Sequence, residues 1–277
     1  MQDTKMMNSL AGSNGATAGY FGLLLRRWRV TRRVSQLWLA LEADLSARHL
    51  SCVETGRAQP SRETVLRLAE ALQIPLRERN TLLIAAGFAP RYHDTDLDAP
   101  EMKAAKLAID LLLEKQEPYP VAVTDRLWNT VRMNEGMRRF LARFPIDASV
   151  TPHNGVRFVF HPHGLRPYLE NWDEVASRII QRIHREVAVN PGDETMREFL
   201  EELLGYPGVP DRWRNPDVDA VPPPLLTLDY RCGRERLRFF GTVTTFGTAQ
   251  DVALQEIRIE SFFPADEATR VALTAGD

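Results

Sequence analysis

Up to Pro90 the apolar positions recur at helical spacing. Phe21, Leu24, Leu25 and Trp28 predict a helix over about residues 20–29, with these side chains as its core face. Leu39, Ala40 and Ala43, then Leu50 and Val53, predict two short amphipathic helices broken by a tight turn at Asp44-Leu45. Ser46 stands where its hydroxyl can cap the second helix by accepting a bond from an orphan backbone N–H. Residues 63–72 and 77–86 continue the periodicity as two more helices, separated at Pro75 and closed by Gly87. Two short helices meeting at a sharp angle are a way small domains present one helix to the DNA major groove.

The pattern changes after residues 91–100, a charged stretch ending in Pro that reads as a linker. A helix over 102–114 carries Leu107, Leu111 and Leu112 on one side. Residues 120–125 and 127–133 read as a two-stranded hairpin turning at Asp125-Arg126, and Asn134 starts a helix bearing Met137, Phe140 and Leu141. Residues 156–160 read as a short strand, 165–189 as a long helix with Val175, Ile179 and Ile183 in phase, and 194–204 as another helix. Residues 225–231, 237–246 and 253–262 are rich in strand formers. In the last, Ile257 and Ile259 alternate with Glu256, Arg258 and Glu260, so one face is expected buried and the other wet. Two strands, intervening helices and three final strands have the count and order of a PAS-like antiparallel sheet. The chain is expected to be α+β: an all-α five-helix head over 18–90, then an α/β domain over 101–277, with residues 1–17 a disordered tail.

The head also carries a resemblance. Ser35-Gln36, Leu39-Ala40, Ala43, Ser46, Leu50-Ser51, Glu54, Gly56-Arg57 and Pro60-Ser61 resemble the helix-turn-helix of lambda-repressor-like, Xre-type regulators. Asp44 stands where that family usually has Gly, and Asp tolerates the left-handed conformation better than most residues. With Leu50 and Val53 inward, Ala47, Arg48, Ser51 and Cys52 occupy the exposed face of the recognition helix. Arg48 is the candidate base reader, because a guanidinium can bond guanine bidentately; Ala47 and Cys52 could touch a thymine methyl. His49 and the cap residue Ser46 flank that face. The resemblance implies phosphate contacts by Gln36 and Arg57, and a salt bridge from Arg29 to Glu54 that joins the first helix to the recognition helix. Arg32 and Arg33, in a run of arginines before the motif, are further phosphate candidates.

Charge sharpens this division. Up to Pro90 there are 12 basic and 7 acidic residues, whereas the whole chain has 35 and 37, so the body is acidic. A basic head on an acidic body fits double-stranded DNA contact confined to the head. Two distant cysteines, Cys52 and Cys232, suggest a reducing cytoplasm and no zinc site; His153, His161 and His163 lack the spacing of a metal centre. No apolar run is long enough for a membrane span. No Gly-rich phosphate loop, catalytic triad spacing or HExxH occurs, so an enzyme is not expected and no catalytic residue is assigned.

In the second half, Asp125-Arg126-Leu127-Trp128 followed by Asn134, Trp172 with Ala176, and Asn190-Pro191-Gly192-Asp193 resemble the ligand-binding domain of MmyB-like transcription regulators. These join an Xre-type helix-turn-helix to a PAS-like domain. His184 stands where relatives commonly have Arg. No cofactor is assigned; the resemblance implies a bound apolar effector of the fatty-acid class, and the helix over 165–189 offers apolar residues on one side with Arg178, Arg182, His184 and Arg185 on others. Trp128, Asn134, Arg182 and His184 are the candidate ligand contacts. The expected protein is a homodimeric regulator that senses a small carboxylate; the alternative is a DNA-binding regulator whose second domain serves only dimerisation or partner docking.

Overall fold

A computed structural model describes residues 14–146, 153–190, 192–216 and 225–274, with side chains from residue 19 onward. It separates into two compact units, Met1–Asp94 with Gln250–Val252 and Thr95–Ala249 with Ala253–Asp277. The first unit is built from α1 (Asn14–Thr31), α2 (Gln36–Glu42), α3 (Ala47–Glu54), α4 (Arg62–Ala71) and α5 (Leu76–Ala85). Helix α1 starts at Asn14, earlier than the apolar spacing indicates and inside the stretch expected to be a tail; residues 1–13 lie outside the described residues.

Local chemistry sets the helix ends. The hydroxyls of Ser35, Ser46 and Ser61 accept bonds from the backbone N–H of Trp38, His49 and Thr64 at 3.0, 3.1 and 3.1 Å, each satisfying a donor that the first turn leaves open. Asp44 turns the chain between α2 and α3 with φ 53°, the left-handed value that Gly would adopt freely. The N–H of Leu45 returns to the Ala40 carbonyl at 2.8 Å. Phe21 and Leu25 of α1 meet Leu39, Leu50, Val53, Leu68 and Leu83 in a fully buried core. One glycine is essential to this packing. A Cβ on Gly22 would stand 2.4 Å from the Glu54 carbonyl oxygen and 2.7 Å from that of Val53, so α1 crosses the end of α3 backbone to backbone.

The second unit holds a five-stranded antiparallel sheet in the order β2-β1-β5-β4-β3: β1 (Val121–Thr124), β2 (Thr130–Met133), β3 (Thr227–Cys232), β4 (Glu235–Thr244) and β5 (Arg258–Pro264). Both faces of the central strands are covered. Ile109 and Leu113 of α6 (Lys103–Lys115) pack with Val121, Val123, Ile257 and Ile259. On the other face α7 (Glu135–Ala142), α8 (Gly155–Phe160), α9 (Trp172–Val189) and α10 (Glu194–Leu204) enclose the larger core, with Trp128, Phe140, Phe160, Ile180, Leu203 and Phe239 buried in it. Two short helices, α11 (Val252–Glu256) and α12 (Glu267–Thr274), flank β5 in sequence.

Several sequence expectations change. Residues 156–160 form α8 and not a strand: Asn154 caps its N-terminus at 2.9 Å, and Val156, Phe158, Val159 and Phe160 are buried on every side, which overrides their strand preference. The last strand starts at Arg258, because the residues before it coil into α11. The long helix expected from residue 165 begins at Trp172, after a separate 3₁₀ turn at Arg166–Tyr168. On α6 the leucines grouped on one side are exposed (Leu107 60%, Leu111 46%, Leu112 42%), since Ile109 and Leu113 form the row that docks on the sheet. The polar alternates are not a wet row of one strand: Glu256 belongs to α11, while Arg258 and Glu260 pair with Thr124 and Ala122, and Glu260 lines the enclosed side.

Gly22→Ala should lower the stability of the first unit by about 1–3 kcal/mol through overpacking. Gly19→Ala, on the same helix with nothing within 4 Å of the added carbon, should leave it unchanged or raise it. Thermal melts of the two variants check this; equal melting temperatures would mean that α1 and α3 are not in backbone contact.

Candidate functional sites in the helical head and the sheet cavity

In the head, α3 presents an open N-terminal face. Ala47 and Arg48 are exposed, His49, Ser51 and Cys52 are partly exposed, and Leu50 and Val53 are buried beneath them. Ser46 spends its hydroxyl oxygen on the helix cap, and Arg57 stands exposed beyond the end of α3. Beneath this face Glu54 is the hub. Its buried carboxylate accepts from Arg29 Nε at 2.6 Å and Arg29 Nη2 at 3.0 Å, a bidentate pair between α1 and α3, and from Gln36 Nε2 at 2.6 Å. Arg29 also donates to the Val34 carbonyl at 3.1 Å.

Two residues expected at phosphates are engaged otherwise. The Gln36 side-chain amide is held by Glu54, which leaves the N-terminus of α2 as its remaining route to an anion. Arg32 donates to the carbonyls of Leu72 and Gln73 at 3.0 and 3.2 Å and lies 5.3 Å from the Trp28 ring centroid. It closes the end of α4, where helix geometry leaves carbonyls without partners. This use of Arg32 replaces the phosphate role expected of it.

In the second unit a cavity of about 410 Å³ lies between the sheet and its helices. Ala122, Leu228, Phe239 and Phe262 line it from the strands, and Met137, Phe140, Val156, Val175 and Ile179 from the helices. Its polar residues include Thr124, Thr130 and Glu260 from the sheet and Arg178 and Arg182, one turn apart on α9. Trp128 organises this group. Its indole Nε1 donates to Glu260 Oε1 at 3.0 Å, and the guanidiniums of Arg182 and Arg258 lie 4.9 and 4.6 Å from its ring centroid. Glu186 binds Arg258 at 3.1 Å and Arg182 at 3.4 Å. Burial pushes the Glu260 carboxyl above the usual carboxylate range, against the opposing pull of Arg182, the Trp128 bond and Arg258. Among the described residues Arg178 enters no ion pair.

The loop that carries Trp128 is built by its own sequence. Asp125 accepts from the N–H groups of Leu127 and Asn129 at 2.8 and 2.9 Å and from the Asn129 side chain at 2.8 Å. These bonds hold Trp128 at φ 62°, a conformation that a bulky residue rarely adopts. Arg126 pairs with Asp193, which also caps α10 at Met196 N, so the two sequence motifs meet in space. Pro191 of the second motif lies outside the described residues.

Two candidate ligand contacts lie elsewhere. Asn134 Oδ1 accepts from Val121 N and Met137 N, both at 2.9 Å, and its amide donates to the Tyr119 carbonyl at 2.8 Å. It ties β1 to the start of α7 and is absent from the cavity wall. His184 Nε2 bonds the Trp213 carbonyl at 2.8 Å, on a side of α9 turned from the cavity. Trp128 and Arg182 do line the cavity, as do Glu260, Thr124 and Arg178, which are added to the candidates. The i, i+4 spacing of Arg178 and Arg182 is a signal present in the sequence; the alternation at Glu260 is also present, but the same pattern fits solvent exposure.

The model of the MmyB-like transcription regulator ligand binding domain matches residues 106–275, more than half of the chain. The protein belongs to the MmyB-like transcription regulators. A helix-turn-helix domain model matches residues 21–82. Among curated proteins nothing matches. Among solved structures, the restriction-modification controller protein C.AhdI from Aeromonas hydrophila is 35% identical over 22% of this chain and 94% of its own, with a TM-score of 0.22. An RNA-binding Light-Oxygen-Voltage receptor is 14% identical over 98% of this chain and 64% of its own, with a TM-score of 0.28. This MmyB-like regulator thus joins a DNA-binding helix-turn-helix to a small-molecule-binding domain. Among the described residues no helix is long and apolar enough to cross a membrane.

Removing either partner of the Arg29–Glu54 pair strands a desolvated charge. Arg29→Ala and Glu54→Ala should each cost about 3 kcal/mol, and the double variant less than the sum of the two. Chemical denaturation of the three variants measures this, and unmoved midpoints would show that the pair does not hold α3.

Proposed function

We propose that this MmyB-like regulator binds an operator through α3 and senses an apolar carboxylate of the fatty-acid class in the sheet cavity. The observation that carries the proposal is an apolar cavity whose wall includes a cation, Arg178, without an ion-pair partner among the described residues, with Arg182 one turn away. An acyl chain would fill the apolar volume, and its carboxylate would give the guanidiniums the charge-assisted bonds they favour. The strand order β2-β1-β5-β4-β3 supports the PAS-like reading of the domain. Such a cavity needs no cofactor, and we assign the chain no catalytic residue and a cytoplasmic place.

On DNA, Arg48 reads a base edge, with Ala47, Ser51 and Cys52 against the neighbouring groove surface, and His49 and Ser46 at its margin. Arg57 and the N-terminus of α2 at Gln36 hold phosphates. The regulator acts as a homodimer on an inverted repeat, and the effector shifts the DNA-competent population because it binds the two states unequally. A second reading, a domain for dimerisation alone, draws on the exposed Leu107, Leu111 and Leu112 of α6.

Native mass spectrometry of as-purified and delipidated protein should show an acyl acid lost and regained; no mass change on adding acyl acids would remove the sensor reading. Operator affinity, measured by fluorescence anisotropy, should differ between the two preparations, and equal affinity favours the dimerisation reading. Arg48→Ala should relax preference at one base position, whereas Arg57→Ala should weaken all sequences alike and reduce the salt dependence. An unaltered base preference in Arg48→Ala would overturn this docking register.

A further inference from the structure

The sheet wall of the cavity carries two polar groups that a simple alkyl chain would leave without partners. Thr124 is opposite Arg258 across the β1–β5 ladder, and Glu260 is opposite Ala122, so Thr124 and Glu260 stand diagonally on the same face. Diagonal neighbours on adjacent antiparallel strands lie roughly 7–8 Å apart at the backbone and closer at their side chains. Thr124 is 2% exposed, and its Oγ1 has no hydrogen-bond partner among the described residues. Glu260 accepts one bond, at Oε1 from Trp128, and among the described residues no donor reaches its other oxygen. Both residues line the cavity.

The groups around this pair narrow what can meet it. Arg182 from α9 and Arg258 from β5 flank the Trp128 indole, and Glu186 of α9 bridges the two guanidiniums. A ligand ammonium would face these cations, and a second ligand carboxylate would face Glu260. A neutral hydroxyl meets neither objection, because it donates to a carboxylate oxygen and accepts from a threonine hydroxyl. Resting on the carboxylate reading above, we infer that the effector is an acyl acid bearing a hydroxyl within a few carbons of its carboxylate, with Thr124 and Glu260 as the residues that select it. The hydroxyl lies near the head because Arg182, a proposed carboxylate ligand, stacks on the same indole that bonds Glu260. A site built to bond a hydroxyl rejects the analogue lacking it, since its own polar groups are then left unpaired.

The test uses the full chain, delipidated, titrated by calorimetry with dodecanoic acid, its 2-hydroxy and 3-hydroxy derivatives, and 12-hydroxydodecanoic acid. One of the two head-proximal hydroxy acids should bind about tenfold tighter than dodecanoic acid or more, and the 12-hydroxy acid should show no gain. Thr124→Val, close in shape but without the hydroxyl, and Glu260→Met should each lose that preference, whereas Thr124→Ser should retain it. Equal affinity of the plain and hydroxylated acids in the wild-type protein overturns the inference alone, as does a preference that survives in both Thr124→Val and Glu260→Met. Binding of none of the acids overturns the carboxylate reading itself and the inference with it.

Discussion

The hydrogen bond from the Trp128 indole to Glu260 ties the loop between β1 and β2 to the central strand β5. The chemistry of the cavity depends on it. The indole has to sit over the sheet to make the bond, and the Asp125 carboxylate holds it there by fixing the loop on three sides. With the ring in place, Arg182 and Arg258 lie against it, Phe199 stacks on it, and Glu186 pairs with both cations. A carboxylate that burial disfavours is thereby kept among cations at the wall of an otherwise apolar space. Without the loop conformation at Trp128, the same residues would be unrelated charges on three elements.

The head uses a comparable device for a different purpose. Glu54 is an acid close to a surface meant for a polyanion, and it is tolerable because Arg29 and Gln36 saturate it from α1 and α2. The first three helices are thereby oriented by one buried carboxylate, while Gly22 lets α1 approach the end of α3 closely enough for Arg29 to reach it. The cost is that Gln36 and Arg32 are engaged in holding the domain together. Arg48 and Arg57, by contrast, stand exposed.

Much of the head was legible because its determinants are local. A serine cap, an apolar stripe at helical spacing and a turn residue tolerant of positive φ each act within a few residues, so α2, the turn at Asp44 and α3 fall close to where the spacing puts them. The body was legible in the order of its sheet strands but less so in their number and detail. Residues 156–160 have strand-forming side chains, yet they are helical because burial on every side suits a helix capped by Asn154. On α6 apolar residues occupy more than one row, and periodicity alone cannot choose between the row of Leu107 and Leu111 and that of Ile109 and Leu113. Asn134 and His184 are ligand candidates by resemblance; their partners are backbone groups, which include Val121 N and Met137 N for Asn134 and the Trp213 carbonyl for His184.

By itself the sequence determined the two-part organisation, the helix-turn-helix, the order of the sheet strands and the separation of a basic head from an acidic body, because composition, caps and periodicity are properties of short segments. Only the tertiary structure decided which faces meet. Alternation along β5 states that one side is apolar and the other polar, but a polar row facing an internal cavity and one facing water have the same pattern. Glu260 and Thr124 became a site only when β1 and β5 paired in one register and Trp128 closed over them. That is a long-range arrangement, and no local propensity encodes it.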